Sequence, residues 1–118
     1  MDLLNNGVRV ILPELADYEI RRELIRAGKI NGLKRLETLR STLDYLPNTT
    51  EAMLKAAELW ARARNRGSQT ADDKALDGDV ILAAQAITIG EPGVIVATTN
   101  VDHLEQFVAA DEWTKIRP

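Results

Sequence analysis

Apolar and polar positions in this chain fall into two kinds of segment: short β-branched runs, and longer stretches whose apolar residues recur at helical spacing. Val8 to Leu12 (VRVIL) is a β-branched-rich run between Asn5-Asn6-Gly7 and Pro13, the pattern of a short buried strand. Pro13 then suits the first turn of a helix, where its fixed φ and missing N–H do no harm. Leu15, Ile20 and Leu24 fall near one helical stripe, with Glu14, Asp17, Glu19 and Glu23 distributed around it, and Gly28 is a stop signal. A strand leading directly into a helix is expected here.

A second helix is predicted from Leu33, Leu36, Leu39, Leu43 and Leu46, spaced three, three, four and three apart and ending at Pro47-Asn48. A third begins at Thr49 or Thr50 and runs to Arg66-Gly67, with Met53, Ala56, Ala57 and Trp60 on one face. The two are expected to form an antiparallel hairpin. Ser68 to Lys74 is polar and loop-like. Leu76 to Ile89 reads as an Ala-rich helix opening on Asp77 and Asp79 and closed by Gly90-Glu91-Pro92-Gly93. Val94 to Ala97 is a continuous apolar strand of the sort covered on both faces. Val101 to Phe107 reads as a short helix, and Trp113 to Ile116 as a last edge strand. The alternation of strands and helices is that of an α/β protein with a parallel sheet, and 118 residues with 45% apolar content make one domain, 1–118.

Charge changes this picture little. Eighteen acids against 15 bases leave a net charge of −3, so a nucleic-acid surface would have to be local. The absence of cysteine excludes disulfides, thiolate metal sites and cysteine nucleophiles, and matches a reducing, cytoplasmic setting. No window approaches the roughly 18 apolar residues of a membrane span, so no membrane partner is expected. His103 is the single histidine, which excludes a histidine metal cluster.

The stretch 76–104 concentrates the candidate chemistry. Parallel strands aim their carboxyl ends at one rim, where groups after Leu12 and Ala97 and the start of the Leu76 helix would converge. Glu14 or Glu19, with Asp77, Asp79, Asn100 and Asp102, would form there an oxygen-ligand set of the kind that hard Mg²⁺ or Mn²⁺ prefers for phosphodiester hydrolysis. Each residue also has a structural reading: Asp77 and Asp79 as helix-start acids, Asn100 and Asp102 as caps of the next helix, the acids of 14–23 as a solvated face. His103 reads as a helix-surface residue. Arg21, Arg22, Arg26, Lys29, Lys34, Arg35 and Arg40, followed by Arg62, Arg64 and Arg66, form either a phosphate-facing surface or ordinary salt-bridged helix faces.

Three segments, VILPELADYEIRREL, GDVILAAQA and VIVATTNVDHL, together resemble the PIN-domain ribonucleases, the family of the VapC-like toxins. The likeness runs from about Val8 to the C-terminus. The second segment resembles the family's acid-aliphatic-Ala-Ala helix, and the third its strand followed by Thr-x-Asn. The resemblance implies an α/β/α sandwich on a parallel sheet, cleavage of single-stranded RNA by a quartet of acids holding Mg²⁺ or Mn²⁺, and an antitoxin-like protein partner. By position it implies Glu19 as the second acid, Asp79 as the third and Asn100 in the fourth place with Asp102 nearby; geometry alone keeps Glu14 as the rival of Glu19. The family's opening strand, ending in Asp-x-Asn, has no counterpart here, and Asp2 does not match it. The resemblance therefore implies an N-terminally truncated domain whose Met1 to Asn6 corresponds to the tail of the helix after that strand. The alternative is a non-catalytic module in which the hairpin Lys29 to Arg66 pairs with itself, as a homodimer, or with an antitoxin-like peptide.

Overall fold

The computed structural model describes residues 9–67, 73–98, 101–112 and 115. They belong to two compact units, the first ending at Asn48 and the second beginning at Thr49.

In the first unit the order is β1 (Ile11–Pro13), α1 (Glu14–Arg26), α2 (Ile30–Thr42) and β2 (Asp44–Leu46). β1 and β2 pair in parallel, with Ile11 opposite Asp44, Leu12 opposite Tyr45 and Pro13 opposite Leu46. A parallel pair needs a long crossover, which α1 and α2 supply. Pro13 closes the strand in extended geometry (φ −70°, ψ 147°) and is also the N-cap of α1, with Glu14 and Asp17 in the first turn near the positive helix end. Gly28 turns the chain between the helices at φ +66°, a left-handed conformation that suits glycine. Gly32 brings α2 close to α1: a Cβ there would lie 2.7 Å from Leu24 Cδ2. Leu12 and Leu36 are the buried apolar side chains of this unit among the described residues.

The leucine helix is shorter than its spacing predicts. It ends at Thr42, Leu43 turns extended (φ −86°, ψ 160°), and Tyr45 and Leu46 lie in β2. Thr38, Ser41 and Thr42 donate their hydroxyls to the carbonyls of Lys34 and Thr38, a side-chain competition that weakens a last turn. The strand partner offered by β1 then supplies the hydrogen bonds that the helix gives up. Leu36 is buried, whereas Leu39 is 43% exposed, so the full leucine stripe is not buried.

The second unit runs α3 (Thr50–Asn65), α4 (Asp73–Thr88), β3 (Val96–Ala97), α5 (Val101–Glu105) and β4 (Ala110–Asp111). Its core joins Ala52, Ala56, Leu59 and Ala63 of α3 to Leu76, Val80, Ala83 and Ala84 of α4 and Leu104 of α5, with Ile81, Leu82, Val96, Phe107, Val108 and Ala110 partly buried around them. The α3 stripe sits one residue away from the predicted face: Met53 is 45% and Trp60 37% exposed. Two alanine-lined helices approach closely when their small residues meet, which turns the larger side chains outward. Within the units α1 packs with α2, and α3 with α4; the two helices of the predicted hairpin belong one to each unit.

β3 pairs in parallel with β4, Val96 opposite Ala110 and Ala97 opposite Asp111. β3 is shorter than the apolar run, and Ile95 and Ala97 are exposed, so this strand is not covered on both faces. The edge strand expected at Trp113 to Ile116 lies, except for Lys115, outside the described residues. Both strand pairs are parallel, in keeping with the α/β class.

Candidate functional site

α4 begins three residues earlier than the sequence predicts, so Asp77 and Asp79 stand in its second turn and not at its start. A helix-start role is thereby removed for both. Leu76, Val80, Ala83 and Ala84 face the core, which leaves Asp77 exposed and places Asp79 at the margin of the buried stripe. The Asp79 side chain is 15% exposed, and its Oδ2 is fully shielded from solvent.

Opposite it stands His103. Its Nδ1 lies 3.5 Å from Asp79 Oδ2, and its side chain is 34% exposed. The two are brought together by their neighbours in sequence: Val80 and Leu104 both lie in the core, and each fixes the backbone of the residue before it. The carbonyl of His103 accepts from Gln106 Nε2 at 2.9 Å, and Gln106 Oε1 accepts from Arg66 Nη2 at 3.4 Å. A polar chain thus runs from the end of α3 through the end of α5 to Asp79.

The other predicted ligands are placed differently. Asp102 is exposed on α5, one residue from His103. Glu19 is on α1 in the first unit, partly exposed, with Arg22 Nη2 at 3.9 Å. Glu14, its rival, accepts the backbone N–H of Asn48 through Oε1 at 2.7 Å and so ties the first turn of α1 to the segment after β2. Asn100 lies outside the described residues. Among the described residues, no three histidine or acidic side chains are gathered as a metal ion requires. The donor chemistry of Asp79, a half-buried carboxylate, suits a hard divalent ion; the described residues by themselves do not complete a shell.

Two residues escaped the sequence reading. His103 is half-buried against a carboxylate; both it and Asp79 directly precede a core residue, a pattern that does not reveal their meeting. Asp17 is buried, not part of a solvated face; it accepts from Arg21 Nε at 3.1 Å and Nη2 at 3.0 Å, and Arg21 Nη1 reaches Glu37 at 2.6 Å. Hydrogen bonds to Asp17 and Glu37 raise the already high Arg21 pKa further. Burial and the carboxylates of Glu14 and Asp17 push the nearby Tyr45 phenol up as well. This cluster joins α1 to α2 and is structural.

Half of the basic cluster is paired with acids. Arg21, Arg22, Arg26, Arg40 and Arg62 each pair with a carboxylate on their own or the neighbouring helix. Arg64 lies over the Trp60 ring at 5.5 Å. Lys29, Lys34 and Arg35 are exposed, and among the described residues no carboxylate pairs with them. Trp60 is thus a surface residue covered by an arginine and not a core residue. No helix among the described residues is long and apolar enough to cross a membrane.

No protein-family model and no curated protein sequence matches this chain. In fold it is similar to a chain in the structure of VapBC-1 from nontypeable Haemophilus influenzae, with a TM-score of 0.70 at 15% identity, over 92% of this chain and 77% of that one. At that identity the likeness is one of fold alone.

Proposed function

We propose that this chain is a PIN-like relative of the VapC toxins of toxin–antitoxin pairs, a three-layer α/β/α domain whose site is built to cut single-stranded RNA. One observation carries the reading: Asp79, the third acid of the resemblance, stands half-buried at the core margin of α4 in a chain whose fold is similar to that of a VapBC-1 chain. Asp79 would hold Mg²⁺ or Mn²⁺, with Asp102 tuning the site and Asp77 at its edge; Glu19 and Asn100 stay the ligands that the resemblance implies. When bound, the ion supplies a polarised phosphate and an activated water. The chain's own part is to fix the carboxylate and exclude water beneath it. Lys29, Lys34 and Arg35 offer the cations least committed to internal pairs for an RNA backbone.

The test is cleavage of a single-stranded RNA in Mn²⁺ by the wild type and by Asp79→Asn. Loss of one site carboxylate should lower the rate by about a hundredfold; equal rates would contradict the reading.

A second reading, a non-catalytic interaction module, is favoured by the exposed Met53, Leu54 and Trp60 on α3. Such a face fits a second copy of the chain or an antitoxin-like peptide. On this reading Leu54→Glu abolishes self-association or partner capture measured by sedimentation while leaving the fold intact; unchanged association contradicts it.

A further inference from the structure

We propose that His103 is a positioning residue: its Nδ1–H holds the Asp79 carboxylate in one orientation at the proposed RNA site. The role rests on the reading of Asp79 as the site carboxylate, while the contact is a property of the second unit by itself.

Four observations carry the inference. Nδ1 faces Oδ2 at 3.5 Å, an approach that is not a formed hydrogen bond in this state and becomes one with a small closure of the kind that occurs when a site is filled. Oδ2 is shielded from water, so the imidazole meets the oxygen that solvent does not reach. Both backbones are fixed by adjacent core residues, Val80 and Leu104. The carbonyl of His103 is itself held by Gln106, which Arg66 holds in turn. An aspartate has two soft torsions, and a carboxylate free to rotate spends part of its time misaligned. A donor fixed by the core removes that freedom, as outer hydrogen bonds do for ligating carboxylates elsewhere. His103 touches neither substrate nor ion in this role; it acts through Asp79.

The tautomer of a neutral imidazole is set by the hydrogen bond that its ring nitrogens make. The first measurement is therefore the long-range ¹H–¹⁵N spectrum of neutral His103 in the wild type, with the Asp79 χ1 couplings. The Nδ1–H tautomer and a single Asp79 rotamer are expected. His103→Asn, whose amide can present an N–H near the Nδ1 position, should keep that rotamer, and His103→Leu should average it while the methyl shifts of Val80 and Leu104 stay in place. If RNA cleavage is measurable, His103→Leu should lower kcat about tenfold or more with KM unchanged, and His103→Asn should restore most of it. An Nε2–H tautomer in the wild type, or an Asp79 rotamer unchanged in His103→Leu, would overturn the inference. Should His103→Leu fail to fold, the wild-type tautomer and the asparagine variant still decide it. Failure of the nuclease reading is seen separately, as no Asp79-dependent cleavage by the wild type, and leaves the spectroscopic result standing.

Discussion

Gly28 and Gly32 lie four residues apart, and the same substitution should act oppositely at them. Gly28 holds φ +66° with open space around its Cα, so alanine there meets no clash yet must adopt a left-handed backbone, at a cost of about 1–2 kcal/mol. At Gly32 the backbone is helical. An added methyl clashes with the far end of the Leu24 side chain, which can rotate, and makes ordinary contact with Lys29 Cβ at 3.6 Å, while helix propensity gains about 1 kcal/mol. Urea denaturation should find Gly28→Ala less stable and Gly32→Ala equal to wild type or better; the reverse order would mean that the α1–α2 contact is rigid. The identity of single residues was legible in sequence where chemistry is local. Asp79 was singled out by its match to the acid-aliphatic-Ala-Ala helix of the resemblance, with a helix-start role as the equal alternative that the earlier start of α4 removes. The burial of Asp17 and the approach of His103 were not legible, since each depends on a partner on another turn or element, Arg21 with Glu37 in one case and Asp79 in the other.

At the scale of the element, α3 was the most readable part of the chain. Thr49 is its N-cap and accepts the Ala52 N–H at 3.0 Å, and the helix ends one residue before the Arg66-Gly67 pair. Thr49→Ala should cost about 1 kcal/mol in thermal or chemical unfolding, and Thr49→Ser much less; equal losses would show that the hydroxyl cap contributes nothing. The face of α3 was misjudged because hydrophobicity was read as burial. In a close pair of helices the contact goes to the smallest residues, Ala52, Ala56 and Ala63 against Ala83 and Ala84, and Met53 and Trp60 are left outside. The leucine helix was overextended for a different reason: Leu43 and Leu46 continue a helical spacing by number, but pairing with β1 claims Asp44 to Leu46 for a strand.

For the whole molecule, the class and the parallel sense of pairing were legible, since apolar runs separated by helices require parallel pairing, and both pairs are parallel; the pairing partners were not, because β2 was read as the end of a helix and no strand was expected at Ala110–Asp111. The meeting of residues distant in sequence was not, because nothing along the chain reports it. The similarity to a VapBC-1 chain agrees with the resemblance at the level of fold alone. The account as a whole stands on Asp79. Its most direct test is calorimetric titration of the folded chain with Mn²⁺, in parallel with Asp79→Asn. Saturable binding by the wild type is expected, weakened about tenfold or more by the substitution. Binding of equal strength in both proteins, or none in a folded wild type, would contradict it.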